Sequence, residues 1–168
     1  MNDYLPAFVG RFQEKSKLVE DNSWILKPVN MARSMDTWVT NNLDQILRMV
    51  ETGPKIAQKY IHNPLLYKCR KFDLRFVVLL KSVLPLEVYI YDEFYTRHSN
   101  NDYEMSEASF SEYETHFTVM NYKEGVTLQN VRYFDFEKSF NEEYEGIITF
   151  EVIKQRIYEA IKKIFIAY

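Results

Sequence analysis

Between Lys71 and Lys81 the run KFDLRFVVLLK alternates apolar and polar positions with a period of two. Successive side chains of a strand point to opposite sides, so Phe72, Leu74, Phe76, Val78 and Leu80 share one face and Lys71, Asp73 and Arg75 the other. PLEVYIYDEFYTR follows after a few residues, and the two runs predict an antiparallel pair joined by a short turn. SWILK predicts a further short strand, ended by Pro28 because proline has no N–H to give a ladder. TNNLDQILRMVET sets Leu43, Ile46, Leu47 and Val50 at i, i+3, i+4 and i+7, an amphipathic helix with Thr40 or Asn41 as its cap. Gly53 and Pro54 stop that helix, and KIAQKYI predicts another strand. SEASFSEYE predicts a short helix and FDFEKSFNEEYEG one of weak periodicity. In the tail FEVIKQRIYEAIKKIFIAY, residues Ile153, Ile157, Ala160, Ile161, Ile164 and Phe165 recur at helical spacing, starting after Thr149. Helices mixed with hairpins make the class α+β, with an antiparallel sheet and flanking helices.

Length and composition add limits. A chain of 168 residues with 46% hydrophobic and 27% charged residues predicts one folded domain, or one domain-sized piece of something larger, over residues 1–168. No apolar run reaches the roughly 18 residues of a membrane span, and MNDYLPAFVGRF lacks a basic-then-apolar leader, so a soluble, cytoplasmic chain without a membrane partner is expected. A single cysteine, Cys69, leaves no partner for an intramolecular disulfide and no thiolate cluster for zinc.

The net charge of -3 conceals a sorted distribution. Lys55 to Lys81 holds seven basic residues against Asp73 alone, whereas Ser82 to Glu151 holds fifteen acids against four bases. A local positive field concentrates anionic ligands. The acidic balance elsewhere argues against nucleic acid as a partner. His62, His98 and His116 fit no metal motif such as H-E-x-x-H, and a structural hydrogen bond is the expectation for His116. Tyr89, Tyr91, Phe94 and Tyr95, at strand spacing, are expected in core and rim. Glu142, Glu143 and Glu145 are expected to be solvated.

Lys71, Asp73 and Arg75 on one strand face are costly to bury unless paired or holding a ligand. Ammonium and guanidinium groups suit phosphate oxygens, and a carboxylate suits sugar hydroxyls. With Lys27 at the mouth of another strand, the set fits a polyphosphate nucleotide site; an exposed face braced by weak surface ion pairs fits the same residues. Neither G-x-x-x-x-G-K nor G-x-G-x-x-G occurs, so such a site would be built from strands and lysines.

NSWILKP, AQKYIHNPLLY, KFDLRFVVLL and LPLEVYIYDEFYTRHSN, in that order and spacing, resemble the tubulin-tyrosine ligase-like family. The resemblance runs from about Leu5 to the end; NMARSMDT and HFTVMNY place it nearest a divergent branch. It implies an ATP-grasp fold, of which this chain would be part, and an ATP-dependent ligase that joins an amino acid to tubulin or a related protein through an acyl-phosphate. By the same resemblance Lys27 grips ATP phosphate, the segment Gln58, Lys59, Tyr60 and Ile61 lines the adenine largely through backbone, and Lys71 and Asp73 contact the nucleotide. Arg75 contacts nucleotide and acyl-phosphate, Arg97 holds γ-phosphate or a substrate carboxylate, and His116 and Thr118 open the family's H-L-T-N. Arg75 and Arg97 are thus the catalytic candidates. A microtubule-associated location is a further implication.

The chain also departs from that pattern. VNMARSMDT has no glycine where active members carry a glycine-rich loop, and backbone amides approach phosphates most easily in conformations glycine tolerates. Val119 replaces the expected asparagine, with Asn121 two residues on. The family's magnesium ligands, an aspartate and an E-x-N on late strands, are expected beyond Tyr168; the only E-x-N here begins at Glu20, ahead of Lys27. Metal ions neutralise charge in phosphoryl transfer. Two readings stay open: a nucleotide-binding part of a ligase whose metal ligands lie elsewhere, or a non-catalytic module that uses the fold to bind tubulin or another protein.

Overall fold

Leu26 lies at the middle of an antiparallel sheet, facing Trp38 on one side and Ala57 on the other. In the computed structural model, which describes residues 4–18, 21–31, 34–118 and 131–167, this sheet runs β2–β1–β3. Its strands are β1 (Trp24–Pro28), β2 (Trp38–Thr40) and β3 (Lys55–Lys59). Pro28 closes β1 as its sequence position requires. One face of the sheet, through Leu26, packs on Phe12 of α1 (Leu5–Lys17) and Ile46 of α2 (Leu43–Val50), with Phe8, Trp24, Leu43 and Met49 around them. Phe8 meets Trp24 edge-on at 4.9 Å.

Two details of α2 differ from the sequence expectation. Asn42, not Thr40 or Asn41, is the cap: its Oδ1 accepts from the Gln45 N–H at 3.1 Å. Thr40 is instead buried at the end of β2, where its hydroxyl accepts from the Asn42 N–H and donates to Gln45 Oε1. The buried stripe runs through Leu43, Ile46 and Met49, so Leu47 and Val50 face outward. Docking against β1 decides which edge of an apolar arc is covered, and periodicity alone leaves that rotation open.

The second sheet, ordered β4–β5–β6, consists of β4 (Leu66–Tyr67), β5 (Arg70–Val83) and β6 (Leu86–His98). β5 and β6 form the expected antiparallel hairpin, from Phe72 opposite His98 to Val83 opposite Leu86. Phe72, Leu74 and Phe76 pack on the main core of Tyr67, Phe94, Phe136, Phe140 and Phe150. Val78 and Leu80 do not join it: register shifts follow Phe76 and Leu80, and the end of the hairpin leaves Leu79, Leu80, Leu84 and Tyr89 exposed.

The weakly periodic segment becomes α4 (Tyr133–Glu143), which supplies the fully buried rings of Phe136 and Phe140. Its pattern is weak because two aromatic anchors carry most of its burial. α5 (Phe150–Ile166) begins where expected, with Asn141 Oδ1 accepting from the Phe150 N–H at 2.7 Å. The serine-rich short helix divides into a 3-10 turn, Ser109–Ser111, and the single turn α3 (Tyr113–His116). The class is α+β, with antiparallel sheets and helices. Among the described residues no helix is long and apolar enough to cross a membrane.

Candidate functional site

The face of β5 turned away from the aromatic core carries Lys71, Asp73 and Arg75. Alternation requires this, since Phe72, Leu74 and Phe76 occupy the other side. Asp73 lies directly opposite Arg97 in the ladder. Arg97 Nε donates to Asp73 Oδ1 at 2.8 Å and Arg97 Nη2 donates to Oδ2, a two-pronged pair. Thr118 Oγ1 donates to Oδ2 at 2.9 Å, and Arg75 Nε stands 3.6 Å from Oδ1. Burial alone would raise the Asp73 carboxyl, but the hydrogen bonds from Arg97 and Thr118 and the charges of Arg97 and Arg75 hold it below its ordinary value. The carboxylate therefore anchors one guanidinium firmly and a second loosely.

Lys27 comes from the other sheet. On β1 it follows Leu26 and so points to the side opposite the Phe12 core; its Nζ donates to Gln58 Oε1 at 2.8 Å. Lys71 Nζ donates to Tyr60 Oη at 2.7 Å and lies 4.5 Å from the centre of that ring. Burial, and then the charge of Lys27, lower Lys71 from 10.5 to about 8. Lys27 and Lys71, from different sheets, are thus bonded to residues two positions apart on one segment, Gln58 and Tyr60.

The remaining positions separate. Lys59 occupies the opposite side of β3 from Gln58, where its ammonium is held by the Asp21 carboxylate and carbonyl and lies over the Trp24 ring. Ile61, beyond the end of β3, is exposed. Tyr60, which the family resemblance assigns a backbone role, is buried and contributes its hydroxyl. Val119, Asn121 and Glu20 lie outside the described residues. Glu143 accepts from the Lys68 N–H, closing the turn between β4 and β5. His116, foreseen as a structural hydrogen bonder, contacts Tyr60 Oη at 2.8 Å. The signal for Tyr60 was its position two residues after Gln58, hence on the same side of an extended segment.

Arg75 and Arg97 thus face the Asp73 carboxylate, while Lys27 and Lys71 are bonded to the neutral groups Gln58 and Tyr60. Among the described residues the Lys71 ammonium gives one hydrogen bond, to Tyr60, and the Arg75 guanidinium makes a long contact, so both retain donor capacity for an anion. Phosphate oxygens fit that donor set. Magnesium, which the family resemblance implies, does not fit the described residues: no three carboxylate, imidazole or thiol groups among them cluster as ligands, and Asp73 is taken up by Arg97 and Thr118.

Between Val29 and Thr37 the described residues Ser34 and Asp36 have φ of 56° and 52°, left-handed values that favour glycine. Asp36 is held by the Lys55 ammonium and by Trp38 Nε1 at 3.3 Å. The segment is tied to β2 and β3 by side chains.

A family model described as the tubulin-tyrosine ligase family matches residues 1–168. The chain is 42% identical over 166 residues to tubulin-tyrosine ligase-like protein 12 of Mus musculus, covering 96% of this chain and 26% of that protein. It is 41% identical over 160 residues to the protein of the same name from Caenorhabditis elegans, covering 92% and 24%. Tubulin glycylase 3C of Tetrahymena thermophila is 41% identical over 87 residues, 51% of this chain and 8% of the glycylase. The chain spans about a quarter of the length of the first two.

Proposed function

The chain belongs to the tubulin-tyrosine ligase family, and from that premise we propose that it carries the phosphate-binding part of an ATP-dependent ligase acting on tubulin or a tubulin-like protein. The reading is carried by Lys27 of the first sheet and Lys71 of the second being bonded to Gln58 and Tyr60, two residues apart on one segment. ATP bound there would supply the phosphoryl group that activates an acceptor carboxylate. Lys27 and Lys71 would hold phosphate oxygens as point charges, and Arg75 would reach the transferring or terminal phosphate with its free fork. Arg97 is fixed by Asp73 and would orient an anion at the edge of the same face. Gln58 holds Lys27 in place. A cytoplasmic, microtubule-associated location accords with this reading.

Titration calorimetry with a non-hydrolysable ATP analogue tests it. Lys27→Ala or Arg75→Ala should weaken binding about tenfold or more, the loss of one charge-assisted hydrogen bond. Equal affinity in wild type and both variants would overturn the assignment.

A second reading, a non-catalytic module that binds tubulin or another protein, draws on Ser34 and Asp36. A loop held in left-handed conformations by Lys55 and Trp38 is less free to close over phosphates than a glycine-rich one. ATP-analogue binding without acyl-phosphate turnover in the whole protein would favour it.

A further inference from the structure

His116 is almost fully buried, and aromatic rings surround it: Tyr60 at 5.6 Å, Tyr103 at 5.9 Å and Phe110 at 6.0 Å. Its two ring nitrogens are nevertheless both engaged, Nδ1 with Tyr60 Oη at 2.8 Å and Nε2 with Ser109 Oγ at 3.1 Å. The direction of these bonds follows from their ends. Ser109 Oγ has two backbone carbonyls for its own proton, Glu104 at 2.9 Å and Ser106 at 2.8 Å, so toward His116 it accepts. Nε2 then carries the imidazole proton, and Nδ1 is left with a lone pair that accepts from the Tyr60 hydroxyl. With its proton committed to His116, Tyr60 Oη turns a lone pair to Lys71 Nζ at 2.7 Å. The polarity is the same from Lys71 to Ser109.

We propose that Tyr60 and His116 are positioning residues for the anion site: the one-way chain from Lys71 through Tyr60 and His116 to Ser109 fixes the Lys71 ammonium where the two sheets meet. Its significance for nucleotide rests on the phosphate reading above, whereas the chain itself does not. Tyr60 follows β3 in the first sheet, Lys71 is the second residue of β5 in the second, and His116 ends α3. A lysine on a flexible four-carbon stem is a poor clamp unless something holds its end, and an oriented acceptor does so. The ring of Tyr60 lies under the same ammonium at 4.5 Å and that of Tyr103 at 5.5 Å. A protonated His116 would donate to Tyr60 from Nδ1, a second donor at that hydroxyl, and reverse the link between the two. Burial and the charge of Lys71 oppose that protonation.

The groups that face Lys71 and this chain are Lys27 from β1, Tyr60 after β3, Tyr103 from the loop after β6, and His116 from α3. Glu112, preceding α3, acts on His116, and Asp73 shares the β5 face with Lys71.

The test reads Lys71 itself, without nucleotide. The rate of modification of the Lys71 amine by an acylating reagent is followed by peptide mass spectrometry between pH 6 and 10 in the whole protein. In wild type the profile should have its midpoint near 8. Tyr60→Phe retains the ring and removes the acceptor, so the cation loses a partner and the midpoint should move down. His116→Leu should move it the same way, and His116→Asn, which retains an acceptor near the Nδ1 position, should restore most of the wild-type profile. Superimposable profiles for wild type, Tyr60→Phe and His116→Leu, with melts showing that all are folded, would overturn the proposal. ATP-analogue affinity is measured in parallel, where Tyr60→Phe should lose about tenfold. If the midpoint moves as stated while Lys71→Met binds the analogue as wild type does, the chain stands and the phosphate reading fails.

Discussion

Asp73 and Arg97 lie opposite each other across the β5–β6 ladder and are joined by two parallel hydrogen bonds, with Thr118 closing on the same carboxylate. The Asp73 carboxyl is held below its ordinary value in the fold, so the pair stabilises the protein fully above the unfolded value near 4. That contribution is lost as pH falls through the lower folded value. Asp73→Asn leaves two guanidinium groups without their counter-ion and should cost about 1–3 kcal/mol at pH 7. The deficit should shrink in acid. Urea unfolding of both proteins from pH 7 to 2.5 checks this, and a gap constant with pH would show that the carboxylate charge is not the cause.

Lys71 is also held below its ordinary value, but for an amine this means that the fold disfavours the charged form. Its folded value of about 8 lies below the ordinary 10.5, so between those limits the unfolded chain binds more protons than the folded one. Stability attributable to Lys71 should therefore rise with pH from 8 to 10.5, relative to Lys71→Met. Affinity for an ATP analogue should fall over the same window, because a neutral amine no longer attracts phosphate. Melts and calorimetry at half-unit steps read both trends. Trends in the same direction, or a Lys71→Met protein with the wild-type pH dependence, would count against the assignment.

The period-two alternation of Phe72 to Phe76 against Lys71 to Arg75 was legible because a strand's faces are set by neighbouring residues alone. The shared face of Lys71, Asp73 and Arg75 followed from that alternation and Lys27 from its place at a predicted strand end, whereas Arg97 entered only through the family resemblance. α1 was not legible: LPAFVGRFQEKSK has one buried residue, Phe12, and its helix is held by contacts with Trp24 and Leu26 that the local pattern does not contain. The rotation of α2 toward Met49 rather than Leu47 likewise depends on β1. The Tyr60–His116 bond joins residues 56 apart and exists because the second sheet and the serine turn come against the end of β3. Long-range pairings of that kind have no local periodicity to announce them.

A last prediction concerns the core behind the site. Phe136 of α4 meets Tyr67 at 4.7 Å, Phe72 at 5.3 Å, Phe150 at 5.4 Å and Phe94 at 6.0 Å, and it is fully buried. Phe134, two residues earlier on the same helix, is half exposed. Phe136→Ala should destabilise by about 3–5 kcal/mol through lost burial and the cavity left behind, whereas Phe134→Ala should cost under about 1 kcal/mol. Phe72 alternates with Lys71 and Asp73 on β5, so a relaxed core beneath Phe72 moves the strand that aims both charges. Phe136→Leu, which retains more of the volume, should bind the ATP analogue closer to wild type than Phe136→Ala does when both are assayed well below their melting temperatures. Denaturant unfolding and calorimetry on the three variants decide the point. Equal losses for Phe134→Ala and Phe136→Ala would mean that α4 does not anchor the sheet, and unchanged analogue affinity in a folded Phe136→Ala protein would mean that the charged face holds its geometry without the core.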